Sequence, residues 1–242
     1  MNLYQGDCLE IMKSIPDASI DMILADPPYG ITACKWDSII PIKPMWEQIE
    51  RIIKLNKAIV MTTSQPFTAI LITSNIKIFK HEIIWFKNTP TGMAQASYAP
   101  MKYHENILVF CKGKINIFNK QMQKREGKGK ACYKYEHYCG ESNHVKMNAV
   151  KKYYNETLVN PSSVILFNTV PNRTNKAHPT QKPVTLGQYL IKTYTNPNET
   201  VLDFCMGSGS FGVAAIKENR DFIGIEKDEK YYKIAKKRIL DL

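Results

Sequence analysis

Apolar positions in this chain follow two rhythms. Short unbroken runs, at Ile20–Ala25 and residues 58–61, alternate with stretches whose apolar residues recur every three or four positions, as at Trp46, Ile49, Ile52 and Ile53. Unbroken runs of that length predict strands buried on both faces, and the wider spacing predicts helices with one buried side. On this basis strands are expected at Ile20–Ala25 and residues 58–61, 81–87 and 106–110, with helices at 46–55 and 66–74. The same alternation returns near Pro183, with helices at Val184–Tyr194, 210–219 and 228–240 and strands at 200–204 and 222–225. Strands alternating with helices predict an α/β fold built on a parallel-type sheet.

Between residues 111 and 170 the rhythm breaks. Long apolar runs vanish, lysine and arginine number 11 against 4 acidic residues, and tyrosines are interspersed at Tyr133, Tyr135, Tyr138, Tyr153 and Tyr154. Three regions follow: 1–110, an inserted basic lobe at 111–170, and 171–242 completing the sheet of the first. The 242 residues suffice for one large core plus such a lobe. The net charge of +11 fits a polyanionic partner and equally a surface kept soluble. No basic stretch leads into an apolar run at the start, and no apolar run reaches about 18 residues, so neither export nor a membrane span is expected. Six cysteines without a regular framework read as reduced thiols of a cytoplasmic protein.

Two motifs carry chemistry. In the first, the strand Ile20–Ala25 runs directly into Asp26-Pro27-Pro28-Tyr29-Gly30. A carboxylate, a stiff diproline turn and an aromatic ring are thereby placed at the carboxyl end of a strand, where open α/β sheets bind ligands. A planar ring bearing an exocyclic amine suits that arrangement. The second is Gly207-Ser208-Gly209-Ser210-Phe211-Gly212, a G-x-G-x-x-G loop between a predicted strand and a predicted helix. Glu226 ends the next strand, 19 residues after Gly207, where a ribose binder belongs. Asp203, just before the loop, would repel a pyrophosphate but suits an ammonium group. That favours S-adenosylmethionine, which carries no phosphate, over a dinucleotide. Only one βαβ unit fits after the loop, so the remaining strands must come from the N-terminal third, a permuted order. Residues 1–5 then form a short strand beside the one ending at Glu226. Asp7 is both an N-cap for a helix at 8–14 and a candidate for the cofactor's adenine amine.

With these residues in place the chain resembles the DNA adenine-N6 methyltransferases, in the permuted group whose catalytic motif precedes the cofactor motif. Asp26 to Tyr29, Asp203-Phe204-Cys205-Met206-Gly207-Ser208-Gly209-Ser210 and His178-Pro179-Thr180-Gln181-Lys182-Pro183 carry the resemblance. Gly224-Ile225-Glu226 and the stretch from His104 to Phe110 support it. The resemblance implies a Rossmann-like, circularly permuted methyltransferase fold using S-adenosyl-L-methionine, with an inserted target-recognition lobe. It implies a catalytic set of Asp26, Pro27, Pro28 and Tyr29. The cofactor set is Asp7, Cys8, Asp26, Lys182, Asp203, Phe204, Met206, Gly207, Ser208, Gly209, Ser210 and Glu226, and the segment from His178 helps close the cofactor site.

The implied reaction moves a methyl group to the N6 amine of an adenine flipped out of double-stranded DNA. Asp26 and the Pro27 carbonyl accept the amine's two N–H bonds while Tyr29 stacks on the base. Relatives acting on cytosine N4 usually carry Ser in place of Asp26, and cytosine-C5 chemistry needs a Pro-Cys pair that is absent. The alternatives are a cytosine-N4 enzyme or a DNA-binding regulatory module without catalysis. Lysines and tyrosines between 112 and 152 are the expected DNA contacts. A homodimer and a cognate restriction endonuclease are the further partners the resemblance brings. Cys132, His137, Cys139 and His144 lack the spacing of a standard zinc finger, so packing roles are expected and no metal.

Overall fold

The computed structural model describes residues 1–32, 34, 37–124, 133–138, 146–151, 158–171 and 181–242, with the backbone alone at 133–138 and 146–151. The chain divides into two compact units, one of Met1–Asn119 with Ser162–Leu242 and a smaller one of Lys120–Pro161. The change in composition begins at Cys111, but residues 111–119 and 162–170 belong to the larger unit. The Asn119 amide N–H donates to the Thr193 carbonyl (2.8 Å), and residues 164–166 form a strand of the main sheet.

The larger unit contains β1 (Asn2–Gln5), α1 (Cys8–Met12), β2 (Ile20–Ala25), α2 (Ile42–Ile52), β3 (Ile53–Thr63), α3 (Phe67–Ser74), β4 (Phe79–Thr91) and β5 (Lys102–Phe110). In the smaller unit, β6 (Gln123–Lys124) pairs with β9 (Leu158–Val159), and β7 (Tyr133–Tyr138) with β8 (Lys146–Lys151), both antiparallel. The larger unit resumes with β10 (Val164–Leu166), α4 (Val184–Tyr194), β11 (Thr200–Asp203), α5 (Ser210–Lys217), β12 (Asp221–Glu226) and α6 (Glu229–Leu240).

Among the described residues eight strands form one sheet in the order β1-β12-β11-β2-β3-β5-β4-β10. Alternate residues of β2 feed two cores. Met22 and Leu24 face Leu186, Leu190 and Phe211 of α4 and α5, and Ile23 and Ala25 face Trp46 and Ile49 of α2 and Phe67 of α3. Burial on both faces explains why β2 reads as an unbroken apolar run. Its one charged member, Asp21, is buried but held by Lys54 (2.8 Å), by Lys57 (3.5 Å) and by the Thr200 backbone N–H (3.1 Å).

Two expectations need correction. The sheet is mixed: β5 runs antiparallel to both β3 and β4, while the other neighbouring pairs are parallel. Residues 92–101 between β4 and β5 contain only a short 3-10 turn, and a link without a crossover element returns the chain antiparallel. The helix expected at 46–55 starts earlier and stops at Ile52. Pro41 and Pro44 sit at its start, where a missing N–H costs nothing, and Ile53 is already extended and paired with Ile20. The expected short first strand is present, and Gln5 lies beside Glu226 in parallel register. Among the described residues no helix is long and apolar enough to cross a membrane.

Candidate active site

β2 continues to β3 on one side of the sheet, whereas β11 continues to β12 on the other. The crevice between the carboxyl ends of β2 and β11 is therefore a topological switch point, where open α/β sheets take their ligands. Asp26 leaves the end of β2 and Asp203 closes β11. A cavity of about 1030 Å³ opens here. It brings together all the expected site residues except Gly209, from Asp7 and Cys8 through Asp26–Tyr29 and Lys182 to Asp203–Ser208, Ser210 and Glu226. Gly209 lies behind the loop. Its φ of +78° starts α5, and a Cβ there would sit 3.0 Å from Ala235 Cβ and Ile239 Cδ1 of α6. His178, Pro179 and Thr180 lie outside the described residues.

On the Asp26 side, the carboxylate is tied down by three side chains. Oδ1 accepts from the Tyr29 hydroxyl (2.6 Å) and the Thr62 hydroxyl (2.5 Å), and Oδ2 accepts from Lys182 Nζ (2.7 Å). A carboxylate offers about four acceptor positions, so among the described residues one remains open on Oδ2. The Tyr29 ring stacks on Phe67 with centroids 5.7 Å apart, and Lys182 Nζ lies 5.6 Å from its centroid. Burial, then the Asp26 charge, raises the Tyr29 hydroxyl well above its ordinary pKa, so it stays a donor. Burial opposes the Lys182 charge, but Asp26 and Glu105 together hold its ammonium well above the usual lysine range.

Three contributors were not legible beforehand. Asp37 is buried, and its carboxylate accepts four successive backbone N–H groups: Tyr29 (2.8 Å) and Gly30 (2.9 Å) at Oδ1, Ile31 (2.9 Å) and Thr32 (2.7 Å) at Oδ2. Burial would raise its pKa, yet these donors hold it below the usual value. Asp37 thereby fixes the loop that carries Tyr29. Glu105 pairs with Lys87 (3.1 Å) and Lys182 (3.3 Å), and both cations outweigh burial to keep it ionised. Thr62 closes the group at the end of β3. An Asp a few residues after a turn was the only sequence signal for Asp37. Glu105 was visible merely as one residue of the stretch from His104 to Phe110.

On the glycine-loop side, Glu226 Oε2 accepts from the Gly207 N–H (2.8 Å) and Oε1 from the Asp228 N–H (2.8 Å). Burial raises its pKa against those donors. Asp203 is almost wholly buried, and burial pushes its carboxyl well up, with the Asp26 and Glu226 charges adding to the effect. Asp7 caps α1 by accepting from Leu9 N (3.0 Å) and pairs with Lys227 (3.1 Å). Cys8 and Cys205 are free thiols beside it, as are Cys34 and Cys111 elsewhere. Ser210 Oγ is buried with no hydrogen-bond partner among the described residues, and a Cβ on Gly207 would meet nothing within 4 Å. Carboxyls whose charge is opposed by burial and by one another are favoured by a cationic neighbour, so such a pocket, open at its glycine, suits a cationic, hydroxyl-bearing ligand better than a phosphate.

Among the described residues no cluster of His, Cys, Asp or Glu has metal-site geometry. Cys132, Cys139 and His144 lie outside the described residues, and His137 is described by its backbone alone.

Fold and crevice define an α/β enzyme of the Rossmann-like methyltransferase type. The chain belongs to the DNA methylase family of N6 and N4 type, whose sequence pattern matches residues 20–237. It is 29% identical to the DNA adenine methyltransferase YhdJ of Escherichia coli (strain K12), over 98% of this chain and 82% of that protein. It is 27% identical to the type II methyltransferase M1.MboII of Moraxella bovis, over 95% of this chain and 92% of that one. The crystal structure of the M1.HpyAVI–SAM complex matches with a TM-score of 0.67 and 25% identity, over 100% of this chain and 99% of the other. The cytosine-N4-specific PvuII DNA methyltransferase shares the fold, with a TM-score of 0.70 at 16% identity over 99% of this chain and 86% of that one.

Proposed function

We propose that the chain transfers a methyl group from S-adenosyl-L-methionine to the N6 amine of adenine in a specific double-stranded DNA sequence. The observation that carries this reading is one cavity with two chemistries. A tethered carboxylate and tyrosine stand at the end of β2, and an acidic glycine pocket stands at the end of β11.

The pocket's residues fit the cofactor. Asp203 takes its ammonium, Phe204 to Ser210 wrap its methionine part, Glu226 takes the ribose hydroxyls, and Asp7 with Cys8 meets its adenine. Gly207 and the unpartnered Ser210 hydroxyl leave room and a donor for it. When bound, it supplies a methyl group on a cationic sulfur, the electrophile of the reaction.

The chain's own residues prepare the nucleophile. An exocyclic adenine amine is weak because its lone pair is delocalised into the ring. The open position on Asp26 Oδ2 and the Pro27 carbonyl accept its two N–H bonds, which frees the lone pair from the ring. Asp26 also stabilises the positive charge that develops on the nitrogen, and the surplus N–H proton leaves through its carboxylate to solvent. Pro27 and Pro28 hold the turn, Phe67 backs the Tyr29 ring that walls the base, and the crevice sets the line of transfer. A base inside a duplex cannot reach this crevice, so it enters flipped.

The likeness to YhdJ, named as an adenine methyltransferase, supports adenine, as does Asp26 itself. In this reading the strand order is a circular permutation, and the smaller unit, Lys120–Pro161, reads the target. The reading includes a homodimer and a companion restriction endonuclease, the latter in keeping with the type II name of M1.MboII. Expression in a host lacking adenine methylation, followed by sequencing of its DNA for modified bases, tests the whole reading. N6-methyladenine in a fixed context is expected. N4-methylcytosine would move the target to cytosine, and unmodified DNA would overturn the reading.

A further inference from the structure

Asp26, Lys182, Glu105 and Lys87 form an alternating chain of charges at the wall of the cavity. Lys182 Nζ lies 2.7 Å from Asp26 and 3.3 Å from Glu105, and Lys87 Nζ lies 3.1 Å from Glu105. Lys87 and Lys182 are both buried. In this arrangement Lys182 engages both groups that the proposed function assigns to the base. It bonds the Asp26 oxygen that has the open position, and it lies over the Tyr29 ring. Glu105 Oε2 is buried and makes no hydrogen bond among the described residues, although Lys182 Nζ is within ion-pair reach.

An ammonium beside an amine that is becoming cationic opposes the reaction. A lysine that left Asp26 without a second counter-charge would also be a buried, unpaired cation, which is costly. Glu105 removes both difficulties. We propose that Glu105 is a positioning residue for methyl transfer: it takes the Lys182 ammonium as the base arrives, releasing Asp26 for the amine. Lys87 competes with Lys182 for Glu105 and so limits how strongly the lysine is drawn away. The proposal rests on the methyltransferase reading above and adds to it a residue that acts through Lys182.

The two ends of the chain give the test, because they act in opposite directions. Glu105→Gln leaves Lys182 with Asp26 alone, and kcat should fall about tenfold to a hundredfold. The KM for S-adenosylmethionine should hold, and Glu105→Asp should recover most of the loss. Lys87→Met frees Glu105 for Lys182, and kcat should stay at or above that of the wild type although an ion pair of the same network is broken. A purely structural role would lower both variants alike, in step with their melting temperatures. The substrate is genomic DNA from a host lacking adenine methylation, with tritiated methyl donor.

A second readout needs no turnover. In the ligand-free protein, acetylation of Lys182 by acetic anhydride at pH 9, read by peptide mass spectrometry against exposed lysines, should rise several-fold in Glu105→Gln, because the ammonium loses a carboxylate that keeps it protonated. Wild-type kcat in Glu105→Gln, an equal loss in Lys87→Met, or unchanged Lys182 labelling would each overturn the proposal. A wild-type chain that methylates no DNA would instead overturn the methyltransferase reading and the catalytic role with it. The labelling would still report whether Glu105 shares the lysine.

Discussion

Replacing Asp37 by Asn should loosen the catalytic loop while leaving the sheet intact. In the wild type one carboxylate accepts four backbone N–H groups at 2.7 to 2.9 Å. Asn keeps one acceptor oxygen and turns an NH2 toward the other two donors. Two hydrogen bonds to a charged group are therefore lost, each worth about 1.5–3 kcal/mol. Gly30, Ile31 and Thr32 are exposed, so their freed amides can turn to water. The cost thus belongs near the lower end, about 3 kcal/mol. Spread over global unfolding, that is a fall in Tm of about 6–12 °C for a chain of this size. The segment is irregular, so part of the cost appears as local opening instead. Hydrogen exchange at residues 29–32 should therefore accelerate about a hundredfold, and kcat should drop with the loss of Tyr29 placement. The sign of the pH dependence follows from the depressed Asp37 pKa. Its stabilisation is present in full above the unfolded value of 3.8 and is lost as pH falls through the lower folded value. The gap in Tm between wild type and variant should therefore be constant near neutrality and close below about pH 4. Unchanged exchange at residues 29–32 would refute the clamp, and a gap that persists at low pH would refute its electrostatic basis.

Asp26→Ala should abolish methyl transfer while calorimetry still shows S-adenosylmethionine binding; normal turnover would exclude the proposed mechanism. The two loop glycines should separate. Gly209→Ala, strained in φ and crowded by α6, should cost about 1–3 kcal/mol of stability, read as Tm. Gly207→Ala shares the strain of a positive φ (+51°) but has open space around its Cβ, so it should cost less stability than Gly209→Ala while weakening cofactor affinity more, and equal effects at both positions would contradict this division. Lys57→Met would leave Glu199 without its lysine while Asp21 keeps Lys54, at a cost of about 1–3 kcal/mol in denaturant melts. DNA affinity should fall steeply with rising salt, as log–log binding plots would show, and a flat slope would count against the basic segment as the DNA contact.

What the sequence disclosed and what it concealed divides along physical lines. The bounds of β2 and α4 were legible because two-sided burial and helical spacing both leave their mark on side-chain type. Asp26 and Asp203 were legible for a related reason: a charge closing an apolar run is conspicuous, and both sit at the carboxyl ends of adjacent strands. The direction of β5 was not, since a buried strand carries the same apolar residues whichever way it runs. Asp37 escaped because its partners are backbone N–H groups, which every residue but proline has and no residue type announces. Glu105 and Lys87 escaped differently. Each looks like an ordinary polar residue in a strand, and only the antiparallel ladder, in which Glu105 lies opposite Trp85, brings these two strands into register. Lys182 then arrives from 77 positions further along the chain to complete the network. The chemistry of the reacting groups is thus local and readable, whereas the groups that hold their charge and orientation are assembled by topology. Substitutions that disturb the second set, at Asp37 and Glu105, are the ones that distinguish this crevice from any other strand end bearing an aspartate and a tyrosine.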